Sequence, residues 1–109
     1  MATANQLHSA LAGHTGKGNG ISAKVLAARL GLGDTRQLRK LVTQAIEEDG
    51  IAICGTPRDG YYIAATAEEL VETIEFHDHR AKHELKKAGR LRGMLGELFG
   101  QTSIPNLTN

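Results

Sequence analysis

The sequence predicts a mainly α-helical chain with one small β-hairpin and a long C-terminal helix. Three observations lead to this fold class. Two short helical segments flank a glycine-containing turn between residues 22 and 48, and two β-prone runs separated by Pro and Gly follow directly. A heptad-like apolar pattern then runs to about residue 98. The 109 residues suit one small domain with an appendage.

The N-terminal region combines a short helix with a glycine-rich stretch. Leu7, Ala10 and Leu11 lie at helical spacing, which predicts a helix within residues 3–12. The stretch GHTGKGNG at residues 13–20 holds four glycines. Glycine weakens both helices and strands, so we expect a flexible connector there. A phosphate-binding loop is the alternative, but the GxxxxGK[ST] pattern is absent.

Two helices joined by a tight turn follow this stretch. Ser22 is an expected N-cap for a helix over residues 23–30, which Gly31 ends. Asp34 is the expected N-cap of the next helix, with Gln37 completing a capping box. The apolar residues of this second helix recur at helical spacing and should be buried: Leu38, Leu41, Val42, Ala45 and Ile46.

The β-prone runs at residues 51–54 and 61–64 predict a hairpin. The intervening residues 55–60 give a loop of about six residues, in which Pro57 sets a turn and Gly60 permits a left-handed conformation. The adjacent Tyr61 and Tyr62 point to opposite faces, so at most one of them can serve the core.

A long helix from residue 67 to about 98 should begin at a second capping box formed by Thr66 and Glu69. Its apolar seam suits self-association, although His77 and Glu84 interrupt the middle. The alternative is a helix that folds back on its own domain. An acidic run precedes a basic run, so an antiparallel partner would bring opposite charges together. The expected dimerisation residues are Leu70, Ile74, His77, Ala81, Leu85, Ala88, Leu91 and Leu95.

The order of these elements resembles that of winged helix-turn-helix DNA-binding proteins. The matching stretches are ISAKVLAARLGL, QLRKLVTQAIEEDGIAIC and GYYIAATAEELVETIEFHDHRAKHELKKAGRLR. From residue 20 to about 92 the chain is similar to small replication or regulatory DNA-binding factors of bacterial prophages and mobile elements. The resulting division is a winged domain at 1–65, a dimerisation helix at 66–98 and a disordered tail at 99–109.

The second helix of the motif carries the expected DNA contacts, because it follows the turn and its polar face opposes an apolar stripe. Arg pairs with guanine and Gln with adenine in the major groove. The turn is one residue longer than the common pattern, which leaves open which of Thr35, Arg36 and Gln37 faces the groove. A solvated helix face is the alternative. Arg58, at the hairpin tip, suits a phosphate or minor-groove contact. The expected DNA-binding residues are Thr35, Arg36, Gln37, Arg39, Lys40, Thr43, Gln44 and Arg58.

Other functions have less support in the sequence. No Ser/His/Asp or paired-carboxylate set can be assembled, so we expect no enzyme and no cofactor. His79 and His83 share a helix face but lack an obvious third ligand, so we expect no metal site. The single cysteine, Cys54, and the absence of a signal or membrane-spanning run indicate a cytoplasmic protein without membrane contact.

The sequence therefore favours a homodimeric, sequence-specific binder of double-stranded DNA in transcription regulation or replication-origin recognition. The alternative is a protein–protein adaptor that uses the winged domain as a docking surface and binds no DNA. A formal net charge of +1 means that any attraction to DNA must come from a local patch.

Overall fold

The computed structural model describes residues 2–100 and confirms the predicted fold class. Three short helices and an antiparallel hairpin precede a long helix, an order consistent with the winged helix-turn-helix layout. The elements are α1 (Ala4–Ala10), a 3-10 turn (Lys17–Asn19), α2 (Ala23–Arg29), α3 (Thr35–Asp49), β1 (Ile53–Thr56), β2 (Gly60–Ile63) and α4 (Ala67–Phe99).

The predicted caps set the beginnings of α2 and α3. Ser22 Oγ accepts a hydrogen bond from the Val25 N–H at 3.3 Å, and Asp34 Oδ1 accepts one from the Gln37 N–H at 2.9 Å. The reciprocal half of the Asp34 capping box differs from the prediction. In a capping box the Gln37 side chain would accept a hydrogen bond from the Asp34 N–H. Here Gln37 Oε1 accepts from the N–H of the preceding residue, Gly33, at 3.2 Å. Gln37 therefore holds the turn between the two helices.

The core of the first compact unit, which extends to Ile74, is built from α1, α2, α3 and the hairpin. Ile46 departs from its predicted burial, because 41% of its surface is exposed. Four earlier positions already form one continuous inward stripe, and Ile46 lies at the edge of that stripe. Those buried α3 residues are Leu38, Leu41, Val42 and Ala45, as predicted.

The hairpin is tighter than the sequence suggested. Its strands pair from Ile53 with Ile63 to Thr56 with Gly60, which leaves a turn of three residues at 57–59 instead of six. Asp59 closes this turn, because its N–H donates to Thr56 Oγ1 and its carboxylate accepts from the same hydroxyl, both at 3.0 Å. Gly60 has the left-handed φ of 74° that was expected.

The expectation of a flexible connector at residues 13–20 was wrong. Ile21 exchanges two backbone hydrogen bonds with Tyr61, of 2.9 and 2.8 Å. The N–H of Gly16 donates to Ile63 O at 2.8 Å, and the N–H of Ile63 donates to His14 O at the same distance. The segment is therefore attached to β2 by two isolated bridges, Thr15 with Ile63 and Ile21 with Tyr61.

The start of α4 is fastened to the first unit by Glu69. Thr66 Oγ1 accepts from the Glu69 N–H at 3.2 Å, as expected of the cap. The Glu69 carboxylate accepts from the N–H of Ala65 and from the N–H of Lys17, both at 2.8 Å. It therefore joins the helix start to the 3-10 turn. Next to it, the Lys17 ammonium pairs with Glu72 at 2.6 Å.

The second unit begins at Glu75 and consists of the remainder of α4. Most of its side chains are exposed, including Leu85, Leu91 and Leu98 at 72%, 62% and 68%. Phe99 is still helical, whereas residues 101–109 of the expected tail lie outside the described residues. No helix between residues 2 and 100 is long and apolar enough to cross a bilayer.

Candidate nucleic-acid interface

The outward surface of α3 is mainly polar, with the partly exposed Ile46 near its C-terminal end. The buried stripe of Leu38, Leu41, Val42 and Ala45 turns the rest of the helix toward solvent, because helical neighbours lie three and four residues apart. All eight residues predicted to contact DNA are exposed: Thr35, Arg36, Gln37, Arg39, Lys40, Thr43, Gln44 and Arg58. Their contact with DNA remains a prediction.

The polar side chains of α3 fall into three rows along the helix. Arg36, Lys40 and Thr43 form the central row, farthest from the buried stripe. Thr35 and Arg39 form one edge. Gln37 and Gln44, seven residues apart, form the other edge. The central row would face a ligand most directly, so the geometry favours Arg36 over Thr35 and Gln37 as the outward residue near the start of α3.

Gln37 has a structural role, as its predicted place in the capping box implied, but its partner is Gly33 instead of Asp34. Its side-chain oxygen already accepts from the Gly33 N–H. A Gln that reads adenine needs both its oxygen and its amide nitrogen. Gln37 thus satisfies a backbone N–H of the turn before α3. A bidentate contact of Gln37 with adenine would require breaking this hydrogen bond to Gly33.

Arg39 on α3 acts electrostatically on a tyrosine of the hairpin. Burial raises the pKa of Tyr61, and the positive charge of Arg39 acts on the same phenol in the opposite direction. Tyr61 lies on β2, half-buried against the core. The charge of Arg39 therefore reaches the phenol of Tyr61 on β2. Sequence reasoning did not identify Tyr61 as a neighbour of this surface.

The cations of this surface are available to an anionic partner. Among residues 2–100, the ion pairs are Lys17 with Glu72, Lys87 with Glu84 and Arg90 with Glu97. None of these involves the cations on α3 or Arg58 at the hairpin tip. The turn around Arg58 is held by Thr56 and Asp59, so its backbone is fixed while its side chain is exposed.

Charge is unevenly distributed along α3. Arg36, Arg39 and Lys40 lie in the first half, whereas Glu47, Glu48 and Asp49 occupy the last turn. Gly50 ends the helix in a left-handed conformation with φ of 63°. A polyanion would be attracted to the N-terminal half of α3 and repelled by its C-terminal end.

Features that suggest catalysis or metal binding are weak in the described part of the chain. An open depression of about 410 Å³ lies between α1 and α2 and is lined by Asn5, Gln6, Ser9, Ala10, Arg29 and Leu30. The rings of His79 and His83 are 5.0 Å apart at their centroids. No group of three or more His, Cys, Asp or Glu residues between positions 2 and 100 could hold a metal ion.

Comparisons with known proteins add no family to these observations. The chain matches no protein-family model, no curated protein and no solved structure.

Proposed function

We propose that this chain is a sequence-specific double-stranded-DNA-binding protein that acts as a homodimer. Its process would be transcription regulation or replication-origin recognition of a phage or mobile element, as its sequence resemblance implies. One observation carries the proposal. The exposed face of α3, in a winged helix-turn-helix layout, bears three cations without carboxylate partners among the described residues.

In this mechanism the first half of α3 enters the major groove. Arg36 and Lys40, in the central row, would reach base edges or phosphates, because an α-helix fits the groove and Arg binds guanine bidentately. Arg39 would contact the backbone beside the wing. Arg58 would bind a phosphate or enter the minor groove.

The acidic last turn of α3 limits how the helix can enter the groove. Glu47, Glu48 and Asp49 would be repelled if they approached phosphates closely. The helix should therefore enter with its N-terminal end foremost, as recognition helices of this class do. This orientation also keeps Gln44 at the margin of the contact.

The alternative is an adaptor that binds a protein instead of DNA. Residues 2–74 carry eight acidic and seven basic side chains, so the winged unit as a whole is not basic. Non-specific DNA binding depends on local phosphate contacts. The two functions thus make opposite predictions for random duplex DNA at low salt.

The decisive experiment measures binding to a random 20-base-pair duplex by fluorescence anisotropy at several salt concentrations. The triple variant Arg36→Ala/Arg39→Ala/Lys40→Ala should bind more weakly and lose about one unit of slope in log K against log salt per phosphate contact removed. These side chains are exposed, so folding should persist, as circular dichroism would verify.

A charge-matched control is available on the long helix. Lys82→Ala/Lys86→Ala/Arg90→Ala removes the same number of positive charges from exposed positions on α4. It should leave both affinity and salt slope near those of the unaltered protein. Equal affinity of a folded α3 triple variant would overturn the proposal, and absence of DNA binding by the unaltered protein would favour the adaptor.

A further inference from the structure

Two histidines of the second unit face each other across one turn of α4. The ring centroids of His79 and His83 are 5.0 Å apart, and the angle between the ring planes is 74°. Both side chains are exposed. Within residues 2–100 neither ring takes part in a hydrogen bond or an ion pair, because the only histidine that does so there is His14. The nitrogens of both imidazoles are therefore accessible to a ligand.

We propose that His79 and His83 together chelate one divalent late transition-metal ion, such as Zn²⁺. Imidazole nitrogen is a preferred ligand of Zn²⁺, Ni²⁺ and Cu²⁺, whereas Mg²⁺ and Ca²⁺ prefer oxygen. The two imidazoles share one helix face, because their positions differ by four residues. This inference is independent of DNA binding by α3, and its test needs no DNA.

The separation of the rings fits an ion held between them. A zinc–nitrogen bond is about 2.0–2.1 Å long, and bond angles of about 90–110° then place the centroids of two ligating imidazoles about 4.5–5.2 Å apart. The observed separation of 5.0 Å for His79 and His83 lies within this range. Chelation would thus require the rings to turn toward the ion, while their separation could stay as it is.

The sequence-based expectation of no metal site rested on the missing third ligand. No group of three or more His, Cys, Asp or Glu residues between positions 2 and 100 could hold an ion, so water must complete the coordination. Two ligands on one helix still cooperate, because an ion bound by the first meets the second at a high effective concentration. A tetrahedral ion held in this way keeps two positions open to water or to another ligand.

The charges around the pair predict modest affinity. Lys82 lies beside both histidines, and Lys86 follows His83 by three residues on the same side of α4. Glu75 precedes His79 by four residues and contributes one negative charge to that side. Because two cations outweigh one carboxylate there, a dication should bind reversibly and exchange readily.

Isothermal titration calorimetry tests the site with ZnCl₂ and the untagged full-length protein near neutral pH. The expected stoichiometry is one ion per chain. His79→Gln and His83→Gln, made separately, should each weaken Zn²⁺ binding at least about tenfold, because even the loss of a group that only orients a metal ligand costs about 10–100-fold. Titration with MgCl₂ should show no binding, since Mg²⁺ prefers oxygen ligands.

A matched control lies on another face of the same helix. His77→Gln also removes one histidine from an exposed position of α4, but position 77 is two residues from His79 and points away from the pair. It should retain the affinity of the unaltered protein, and circular dichroism would verify that all variants are helical. Undiminished binding in His83→Gln, an equal loss in His77→Gln, or no binding by the unaltered protein would each overturn the site.

Lys82→Gln tests the position of the ion by a gain of affinity. Removal of this positive charge should tighten Zn²⁺ binding roughly twofold to fivefold at low salt, because a cation near the pair repels a dication. Lys24→Gln makes the same charge change at an exposed position of α2 and should have no effect. Equal affinities of the two variants would contradict an ion bound beside Lys82.

Discussion

Ile21 and Tyr61 exchange both of their backbone hydrogen bonds, although they lie on opposite sides of the helix-turn-helix in the sequence. This pair attaches the segment before α2 to the strand after the hairpin turn. Two glycines flank it. A Cβ on Gly20 would overlap the Asp59 carbonyl oxygen, and one on Gly60 would overlap the Ile21 carbonyl oxygen.

Gly60→Ala should therefore destabilise the fold by more than about 3 kcal/mol. The substitution combines a left-handed φ of 74° with an overlap against backbone that cannot move aside. The free energy of unfolding in urea measures the effect. Gly13→Ala is the control, because nothing lies within 4 Å of a Cβ at that position. Equal stability of the two variants would contradict the close approach.

Arg39→Ala should raise the pKa of Tyr61 further. Burial already raises it, and the guanidinium charge opposes that shift by favouring the phenolate. Ultraviolet titration of tyrosine ionisation in a Tyr62→Phe background isolates the signal, and Arg36→Ala serves as the control. An unaltered Tyr61 titration in Arg39→Ala would show that the charge of Arg39 does not act on the Tyr61 phenol.

The stabilising effect of Glu69 should depend on pH in the acidic range. Hydrogen bonds from the N–H groups of Lys17 and Ala65 lower the pKa of Glu69 below its usual 4.5. A carboxyl group whose pKa is lower in the folded than in the unfolded state stabilises the fold at pH values above its unfolded-state pKa. That stabilisation is lost as the pH falls through the folded-state pKa.

Unfolding free energies at pH 7 and pH 3 test this assignment. Glu69→Gln should be less stable than the unaltered protein at pH 7, and the gap should narrow at pH 3. Glu68→Gln, at an exposed neighbouring position, should show no such convergence. If the difference in unfolding free energy is the same at pH 7 and pH 3, the charge of Glu69 does not contribute to the stability of the fold.

Arg58→Ala should weaken DNA binding if the wing makes contact. Loss of a phosphate contact would reduce affinity across all sequences and lower the salt slope by about one unit. Loss of a minor-groove contact would act mainly at A·T-rich flanks. Anisotropy with duplexes that differ only in their flanks distinguishes the two. Full affinity on every duplex, matching a Lys86→Ala control, would make the wing purely structural.

Gly89→Ala should stabilise α4 by about 0.5–1 kcal/mol, because glycine is a poor helix former and a Cβ there meets nothing within 4 Å. Position 89 also lies away from the apolar seam, so the dimer should be retained. Helical circular dichroism and thermal unfolding measure the gain. If Gly89→Ala instead lowers helicity or weakens association, Gly89 makes a contact outside the apolar seam.

The sequence predicted most accurately those features that depend on neighbouring residues. The caps at Ser22 and Asp34 and the buried stripe of α3 involve residues three or four positions apart, which a local pattern can specify. The exposed cations of α3 followed from the same periodicity. Ile46 was misassigned because it lies at the edge of that stripe.

The features that were missed depend on residues distant in the sequence. The glycine-rich segment forms hydrogen bonds with Ile63 and Glu69, and the adjoining Ile21 forms them with Tyr61, which no local pattern reveals. The proximity of Arg39 to Tyr61 likewise requires the folded arrangement of α3 and β2. Turn length was overestimated because Gly55 and Gly60 suggested loop, although both belong to paired strands.

The Ile21–Tyr61 pair also has a kinetic consequence. It closes a chain loop of about 40 residues that contains α2, α3 and β1. Contacts between residues so far apart raise the contact order, which slows folding relative to helices that form locally. We therefore expect α2 and α3 to acquire helical structure before the loop closes, and the wing to take its place beside α3 only in the final, slower step.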